Sequence, residues 1–299
     1  MEVVTSYKDS KSLKAPIALT IGTFDGLHLG HQRIFHKLKE LTHEAQGSRV
    51  VISFSNHPSE VLRPKLALTK ITSTEEKIEL FKELGIHLAI LLEFTMALRD
   101  LSYEEFIHSI RASIPFDYLV LGQGAAFGKH QEGNEARLKA LGKTLGFTTI
   151  YLDKLAYNDT PISSKLIREY LKEGDVEYIR NLLGRPYSFY APFHLAKLQE
   201  TGENRLKITF DFQNHCLIPS GHYIVNLKSS NYQHLAVAYL TTLVSDKTSK
   251  TFDLEVFIKG PKAPFMNDNI KVEFVRKIPS SKSFDDLLES PGKIEPINL

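Results

Sequence analysis

The chain has 299 residues, of which 42% are hydrophobic and 24% are charged, a composition typical of a globular protein with enough apolar side chains for two domain cores. The formal net charge of +2 gives no indication of bulk binding to nucleic acid or to an anionic membrane. The single cysteine, Cys216, excludes an internal disulfide and a cysteine-rich metal site. Residues 1–14 do not resemble a signal peptide, and the most apolar run, Leu88–Leu92, is too short to cross a bilayer. We therefore expect a cytoplasmic protein.

Short uncharged runs alternate with amphipathic segments through residue 183. The runs that predict buried strands are residues 17–21, 50–54, 88–94, 118–121 and 147–152. The segments that predict helices are residues 32–46, 73–84, 102–113, 135–145, 163–173 and 176–183. Buried strands that alternate with helices predict an α/β domain with a doubly wound parallel sheet, whose ligands bind at the carboxyl ends of the strands.

The pattern changes after Pro186, where alternating polar and apolar residues replace the helical spacing. The stretches that predict strands are residues 206–212, 223–228, 235–243, 251–258 and 270–275, and residues 283–290 predict a final helix. Short strands at this spacing favour a small antiparallel β-barrel. We expect two domains, a doubly wound, Rossmann-like domain over residues 1–186 and a smaller antiparallel β-barrel domain over residues 187–299.

The turn after the first predicted strand, residues 22–31, reads GTFDGLHLGH. Its three glycines permit sharp turns and close approach of a ligand, and the helix that follows presents N–H groups that attract phosphate. Two imidazoles three residues apart, His28 and His31, can donate hydrogen bonds to a phosphorus centre that gains negative charge during displacement. The alternative interpretation is a pair of histidines satisfied inside a core.

A second motif, residues 162–168, reads ISSKLIR at the start of a predicted helix. Hydroxyl groups at a helix start can cap the helix and can also hold a phosphate. Arg168 follows one turn later, where it can stabilise charge on a departing pyrophosphate. Two serines before a helix are in most proteins only a cap, so the functional interpretation depends on the histidine turn.

Together, the two motifs resemble the HxGH nucleotidylyltransferase superfamily. Further matches resemble the bacterial bifunctional FAD synthetase family, the riboflavin kinase/FMN adenylyltransferases, across residues 15–190. The matching segments are FSNHP at residues 54–58, EKI at 76–78, SYEEFI at 102–107, FGK at 127–129 and LGRPY at 183–187. In place of the family's polar and aromatic residues after the fourth strand, this chain has Gly124, Ala125 and Ala126.

The resemblance implies transfer of AMP from ATP to FMN, with release of pyrophosphate and without a covalent enzyme intermediate. It implies Mg²⁺ carried with ATP, without a dedicated set of metal-binding side chains, and catalytic roles for His28, His31 and Arg168. The nucleotide-binding residues that it implies are Gly22, Phe24, Asp25, Gly26, Gly30, Ser163, Ser164 and Lys165. The flavin-binding residues that it implies are Phe54, His57, Pro58 and Phe127.

The second half resembles the riboflavin kinase barrel in outline. Residues 217–223 (LIPSGHY) and 253–256 (DLEV) match, and they put Glu255 in the place of the kinase base, although a solvated strand glutamate is the other interpretation. Residues 202–212 form an alternating pattern where the family has a phosphate loop, so we expect weak or absent phosphorylation of riboflavin. The alternatives are a full bifunctional enzyme, a catalytically degenerate flavin- or nucleotide-binding protein, and an adenylyltransferase for another acceptor.

Overall fold

The computed structural model describes residues 1–9, 13–191, 196–202, 205–211, 215–216, 218–229, 232–244, 250–257 and 269–279. Contacts within the chain divide it into two compact units, Met1–Ser164 and Lys165–Leu299. The predicted domain boundary after residue 186 stays a prediction, and the predicted helix over residues 283–290 lies outside the described residues. Among the described residues, no helix has the length and apolar character needed to cross a membrane.

The first unit is built on a six-stranded parallel sheet with helices between its strands. The strands are β1 (Glu2–Val4), β2 (Ile17–Ile21), β3 (Ser48–Phe54), β4 (Leu88–Leu92), β5 (Tyr118–Gly122) and β6 (Thr148–Leu152). The helices are α1 (Leu29–Thr42), α2 (Pro58–Leu62), α3 (Thr74–Glu83), α4 (Met96–Asp100), α5 (Tyr103–Arg111) and α6 (Glu135–Leu145). A short hairpin, β7 (Ala156–Tyr157) and β8 (Thr160–Pro161), follows β6. The predicted α/β class and its five strands are confirmed, and β1 is an additional edge strand.

The strand order, β1-β4-β3-β2-β5-β6, reverses direction at β2. The loops that follow β2 and β5 therefore flank the crevice where doubly wound sheets bind ligands. Side chains of β2 alternate between two buried clusters, with Ile17 and Leu19 in one and Ala18 in the other. Burial on both faces explains why these strands are continuous apolar runs in the sequence.

Local capping sets the helix ends of this unit. Ser73 caps α3, because its side chain accepts the backbone N–H of Glu76. At α5, Ser102 and Glu105 form a reciprocal capping box. Gly146 ends α6 in the left-handed conformation that glycine adopts without strain.

The second unit contains helices α7 (Ser164–Glu173, whose first residue belongs to the first unit) and α8 (Val176–Leu183) and a seven-stranded antiparallel sheet of half-barrel form. The strands are β9 (Tyr187–Ala191), β10 (Ala196–Gly202), β11 (Arg205–Asp211), β12 (Gly221–Lys228), β13 (Gln233–Val244), β14 (Lys250–Phe257) and β15 (Ile270–Lys277). Their order is β10-β11-β14-β13-β12-β15-β9. The predicted antiparallel β domain is confirmed, with β9 and β10 as strands that the sequence pattern missed.

Aromatic side chains form much of the core of the second unit. Tyr187, Phe189, Tyr223 and Phe274 are fully buried and contact one another edge-on or stacked. Helix α8 contacts both β9 and β15, so this helix covers one edge of the sheet.

Candidate functional site

The turn between β2 and α1 has an unusual backbone. Phe24, Gly26 and Leu27 have φ angles of +47°, +81° and +43°, a region that residues with a side chain rarely adopt. At Gly26 a Cβ atom would also lie 3.3 Å from the side chain of Ile71. Backbone strain of this kind occurs preferentially at functional sites, where surrounding contacts maintain it.

His28 is the N-cap residue of α1. Its ring Nδ1 accepts the backbone N–H of His31 at 3.3 Å, and its side chain is buried. A Cβ atom on Gly30 would lie 3.1 Å from this Nδ1, so a glycine leaves room for the ring. A neutral imidazole that accepts at Nδ1 carries its proton at Nε2, which makes Nε2 the hydrogen-bond donor of His28.

The ring of His31 stacks on that of His28, with centroids 3.7 Å apart and an angle of 17° between the planes. The ring of Phe24 meets His31 edge-on at 5.3 Å. Burial lowers the pKa of His31 well below its usual value, and His28 and Lys77 lower this pKa further. Its buried Nδ1 has no hydrogen-bond partner in the described part of the chain. His31 is therefore a neutral ring at neutral pH with an unpaired polar atom, a combination that calls for a functional explanation.

Asp25 and Ser164, both predicted nucleotide contacts, have structural partners. The buried carboxylate of Asp25 accepts the backbone N–H groups of Ile71, at 2.9 Å, and Thr72, at 3.2 Å. The hydroxyl of Ser164 donates to the backbone oxygen of Asp25 at 2.8 Å. These contacts connect the histidine turn to the serine motif within the first unit. The predicted contacts of both residues with a nucleotide stay predictions.

Lys77, which the sequence did not single out as a site residue, holds the same turn from another side. This residue of α3 is 8% exposed, and its ammonium donates to the backbone oxygens of Thr23, at 3.1 Å, and Phe54, at 3.4 Å. Ser53 donates a second hydrogen bond to Thr23 at 3.2 Å. The sequence indicated this position only through the family match at residues 76–78. A helical pattern does not show that a lysine is buried.

A cavity of about 950 Å³ lies at the carboxyl ends of β2, β3, β4 and β5. Three of the predicted flavin-binding residues line it: Phe54, Pro58 and Phe127. Further aromatic and aliphatic walls come from Phe94, Leu98 and Phe106, and the histidine turn contributes Gly22 and Thr23. This volume lies within the usual range for small-molecule sites. The cavity therefore joins an apolar chamber to the start of the histidine turn.

Positively charged side chains also line this cavity. They are Arg63, Arg99 and Lys129, and Arg99 pairs with Asp100 at 2.9 Å. A chamber with apolar walls and several cations suits a ligand that combines an aromatic ring system with an anionic group.

His57, the fourth predicted flavin-binding residue, lines a separate, much smaller cavity together with Lys70 and Lys77. His57 caps α2 through two hydrogen bonds. Its ring Nδ1 accepts the backbone N–H of Ser59 at 3.1 Å, and its backbone N–H donates to the Glu60 carboxylate at 2.9 Å. The structure therefore gives His57 a capping contact, and its predicted contact with flavin stays a prediction.

The loop after β5 forms one wall of the large cavity and carries the residues that depart from the family pattern. Gly124 and Gly128 have φ angles of +82° and +80°. A Cβ atom on Gly124 would meet nothing within 4 Å, whereas one on Gly128 would collide with the backbone nitrogen of Tyr103 and lie 2.7 Å from its Cα. Tyr151 donates to the backbone oxygen of Ala125 at 3.0 Å, and burial raises the pKa of this phenol to about 12. The hydrogen bond from Tyr151 thus holds the loop at Ala125, and the loop packs against Tyr103 at Gly128 with no room for a side chain.

The remaining predicted site residues belong to the second unit, or to its border. Ser163 directly precedes α7. Lys165 is exposed in the first turn of α7 and lies 3.9 Å from Glu169, while Arg168 is buried further along the same helix. Glu255 is exposed on β14, between Lys207 of β11 and Tyr239 of β13. The joint action of Arg168 with the histidine turn stays a prediction.

Curated relatives match nearly the whole chain. The bifunctional riboflavin kinase/FMN adenylyltransferase of Buchnera aphidicola subsp. Acyrthosiphon pisum (strain APS) is 28% identical over 298 residues, which are 98% of this chain and 95% of that protein. The protein of the same name from Bacillus subtilis (strain 168) is 28% identical over 297 residues, 95% of this chain and 91% of that protein.

A solved structure described as a macrolide-efflux protein from Streptococcus pneumoniae superimposes with a TM-score of 0.78 at 20% identity, covering 97% of this chain and 95% of that chain. At this identity the similarity shows a shared fold. The sequence model of FAD synthetase matches residues 10–166, more than half of the chain and the region that holds the histidine turn and the large cavity. The chain belongs to the FAD synthetase family.

Proposed function

We propose that the protein transfers AMP from ATP to FMN and so makes FAD and pyrophosphate. The observation that carries this proposal is the stacked pair His28 and His31 at the start of α1, next to an aromatic cavity of about 950 Å³. Family membership supplies the reaction class, and the geometry supplies one place for a triphosphate and one for a planar aromatic acceptor. In this proposal the first domain of residues 1–186 holds both substrates.

In the proposed reaction a phosphate oxygen of FMN attacks the α-phosphorus of ATP. The bond between the α-phosphorus and its bridging oxygen to the β-phosphorus breaks, and pyrophosphate leaves with the electron pair. His28 donates from Nε2 and His31 from its ring to oxygens that become more negative, and the N–H groups at the start of α1 add to this stabilisation. Catalysis is then a matter of positioning and charge, and the lowered pKa of His31 keeps its ring neutral at neutral pH.

The flavin ring is proposed to lie in the large cavity between Phe54, Pro58 and Phe127. The phosphate of the flavin is proposed to point towards the histidine turn, because Gly22 and Thr23 line the same cavity and begin that turn. The cationic side chains of the cavity wall favour an acceptor that carries a phosphate over one that does not.

The divalent metal is proposed to be Mg²⁺ and to arrive bound to ATP. Within the described ranges, no group of three or more His, Cys, Asp or Glu side chains could hold a metal ion. Mg²⁺ commonly keeps several waters and binds substrate phosphates with few protein ligands, which suits a metal that arrives with the nucleotide. When bound, the metal supplies neutralisation of phosphate charge.

The identity of the acceptor is tested by offering the purified protein ATP and Mg²⁺ with FMN, nicotinamide mononucleotide or phosphopantetheine, and by separating the products by chromatography. We expect an adenylylated product with FMN and none with the other two acceptors. Adenylylation of either of those in preference to FMN would refute the assignment.

Arg168→Ala is expected to raise the KM for ATP and to lower kcat together. The guanidinium is proposed to hold the leaving pyrophosphate, and a hydrogen bond to a charged group contributes about 1.5–3 kcal/mol, or roughly tenfold to a hundredfold in kcat/KM. Lys172→Ala removes an exposed cation from the same helix and serves as the control. If Arg168→Ala altered only the dependence on FMN, the proposed role would be wrong.

Riboflavin phosphorylation is the second candidate function. It is favoured by the bifunctional relatives, which align over 98% and 95% of this chain and therefore include the antiparallel sheet. Against this, Arg205–Asp211 form a regular strand, β11, paired on both sides where the kinase family has its phosphate loop. The proposed kinase domain of residues 187–299 keeps Glu255 in the position of the base.

We expect conversion of riboflavin to FMN to be weak or absent in the purified chain, while FMN is still converted to FAD. The reason is that phosphoryl transfer needs a loop that holds the metal and the γ-phosphate in line with the hydroxyl, and a paired strand does not provide it. The measurement compares riboflavin turnover of the protein with that of Glu255→Gln. Robust turnover that is lost in Glu255→Gln would instead establish a bifunctional enzyme.

A further inference from the structure

Lys77 is a charged group in the interior of the first unit. Its ammonium is bound by two backbone carbonyl oxygens, those of Thr23 and Phe54, and burial lowers its pKa to about 8, an effect that Asp25 opposes and Lys70 reinforces. Burial of a charge is costly unless it is compensated, so a retained buried lysine calls for an explanation in structure or function.

The two carbonyl groups belong to the two halves of the proposed site. Thr23 precedes Phe24, the first residue of the histidine turn with a positive φ. Phe54 ends β3, and its side chain lines the large cavity. A single ammonium group therefore connects the segment that positions the imidazoles with the segment that forms the cavity wall.

We propose that Lys77 is a positioning residue that fixes the histidine turn against the wall of the large cavity and thereby sets the relative placement of ATP and the flavin. The inference rests on the proposed function and extends it to a residue that contacts neither substrate. Without Lys77, the hydroxyl of Ser53 would be the one side-chain donor left to the carbonyl of Thr23 among the described residues.

The charge of Lys77 has a second effect that can be measured independently of turnover. The groups that face the ring of His31 are the stacked ring of His28, the edge of Phe24 and the charge of Lys77. After burial and His28, Lys77 is the third cause of the lowered pKa of His31. Removing a positive charge near an imidazole favours its protonated form, so the pKa of His31 must rise when Lys77 is neutralised.

The experiment compares three variants for FAD formation from ATP and FMN. Lys77→Met removes the hydrogen bonds and the charge, Lys77→Gln removes the charge and keeps a donor, and Lys82→Met makes the same change at an exposed position of α3. The dissociation constants of FMN and of a non-hydrolysable ATP analogue are measured separately for each protein.

We expect kcat of Lys77→Met to fall by about a hundredfold, the loss that a misplacement of roughly 1 Å can produce, while both dissociation constants change little. The kcat of Lys77→Gln is expected to lie between those of Lys77→Met and the wild type. The kcat of Lys82→Met is expected to match that of the wild type. In NMR titrations the pKa of His31 is expected to rise in both Lys77 variants and not in Lys82→Met. If Lys77→Met does not fold, Lys77→Gln gives the same two readouts.

The inference is overturned if Lys77→Met turns over like Lys82→Met, or if its dissociation constants rise while kcat is unchanged. An unshifted pKa of His31 in Lys77→Gln overturns it as well. The proposed function and the inference fail in different ways. A wild-type protein that forms no FAD would refute the proposed function, whereas an active wild type with an equally active Lys77→Met would refute only the role of Lys77.

Discussion

Replacing His28 or His31 by alanine is expected to lower kcat for FAD formation by about a hundredfold or more, because a hydrogen bond to charge that develops in the transition state is worth about 2.7–4 kcal/mol. The stacked arrangement of the two rings places both at the start of α1. The measurement is steady-state formation of FAD by each variant. Near-normal turnover of both alanine variants would contradict the assignment of the site.

His28 needs a second variant because its ring also caps α1. Loss of an N-cap costs about 1 kcal/mol of stability, so His28→Ala has a folding effect as well. His28→Asn is the matched control, since asparagine is a good N-cap and lacks the imidazole. We expect His28→Asn to unfold at nearly the wild-type temperature and to remain as inactive as His28→Ala. Restored turnover in His28→Asn would mean that His28 acts through capping alone.

Gly128→Ala is expected to destabilise the wall of the large cavity and to weaken binding of FMN. A Cβ atom here meets the backbone of Tyr103, which cannot give way as a flexible side chain would, so the loop that carries Phe127 has to move. Overpacking of this kind lowers the free energy of unfolding by about 1–3 kcal/mol. The measurements are thermal unfolding and titration of FMN against the purified variant.

Gly124→Ala provides the control for Gly128→Ala within the same loop. Both glycines have a positive φ, but a Cβ atom on Gly124 has no neighbour within 4 Å. Gly124→Ala therefore adds only backbone strain, about 1–2 kcal/mol, whereas Gly128→Ala adds a collision to the same strain. Equal losses of stability and of FMN affinity in the two variants would show that contact with Tyr103 is not what requires a glycine at position 128.

The elements with strong local signals were predictable from the sequence. The predicted bounds of α6 and α8 agree with the structure, since an amphipathic pattern ends at Gly146 in one and at Gly184 in the other, and both glycines are left-handed. Helix α1 begins at Leu29, earlier than the predicted residue 32, because a histidine caps it and histidine is not among the common N-cap residues.

The strands at the sheet edges were not predictable. Strand β1 has three residues and owes its existence to parallel pairing with β4, which is distant in sequence. Strands β9 and β10 lie at the start of the second predicted domain, before residue 206, where the first strand of that domain was predicted. Their pairing partners, β15 and β11, decide their structure, and a single-strand pattern does not reveal those partners.

The candidate site was predictable to the extent that it is local. The spacing of His28 and His31 and their place after a buried strand are properties of ten consecutive residues. Lys77 was missed because its partners are 54 and 23 residues away, at Thr23 and Phe54, and only the fold brings them together. The structural contacts of Asp25 likewise depend on a distant segment, residues 71–72.

The central claim, that AMP is transferred from ATP to FMN, is tested most directly by following the phosphorus atoms of ATP. The purified protein is incubated with FMN, Mg²⁺ and ATP labelled with ³²P at either the α- or the γ-phosphate, and flavins are separated from pyrophosphate. We expect the α-label to appear in FAD and the γ-label in pyrophosphate. Absence of α-label from the flavin fraction would contradict it.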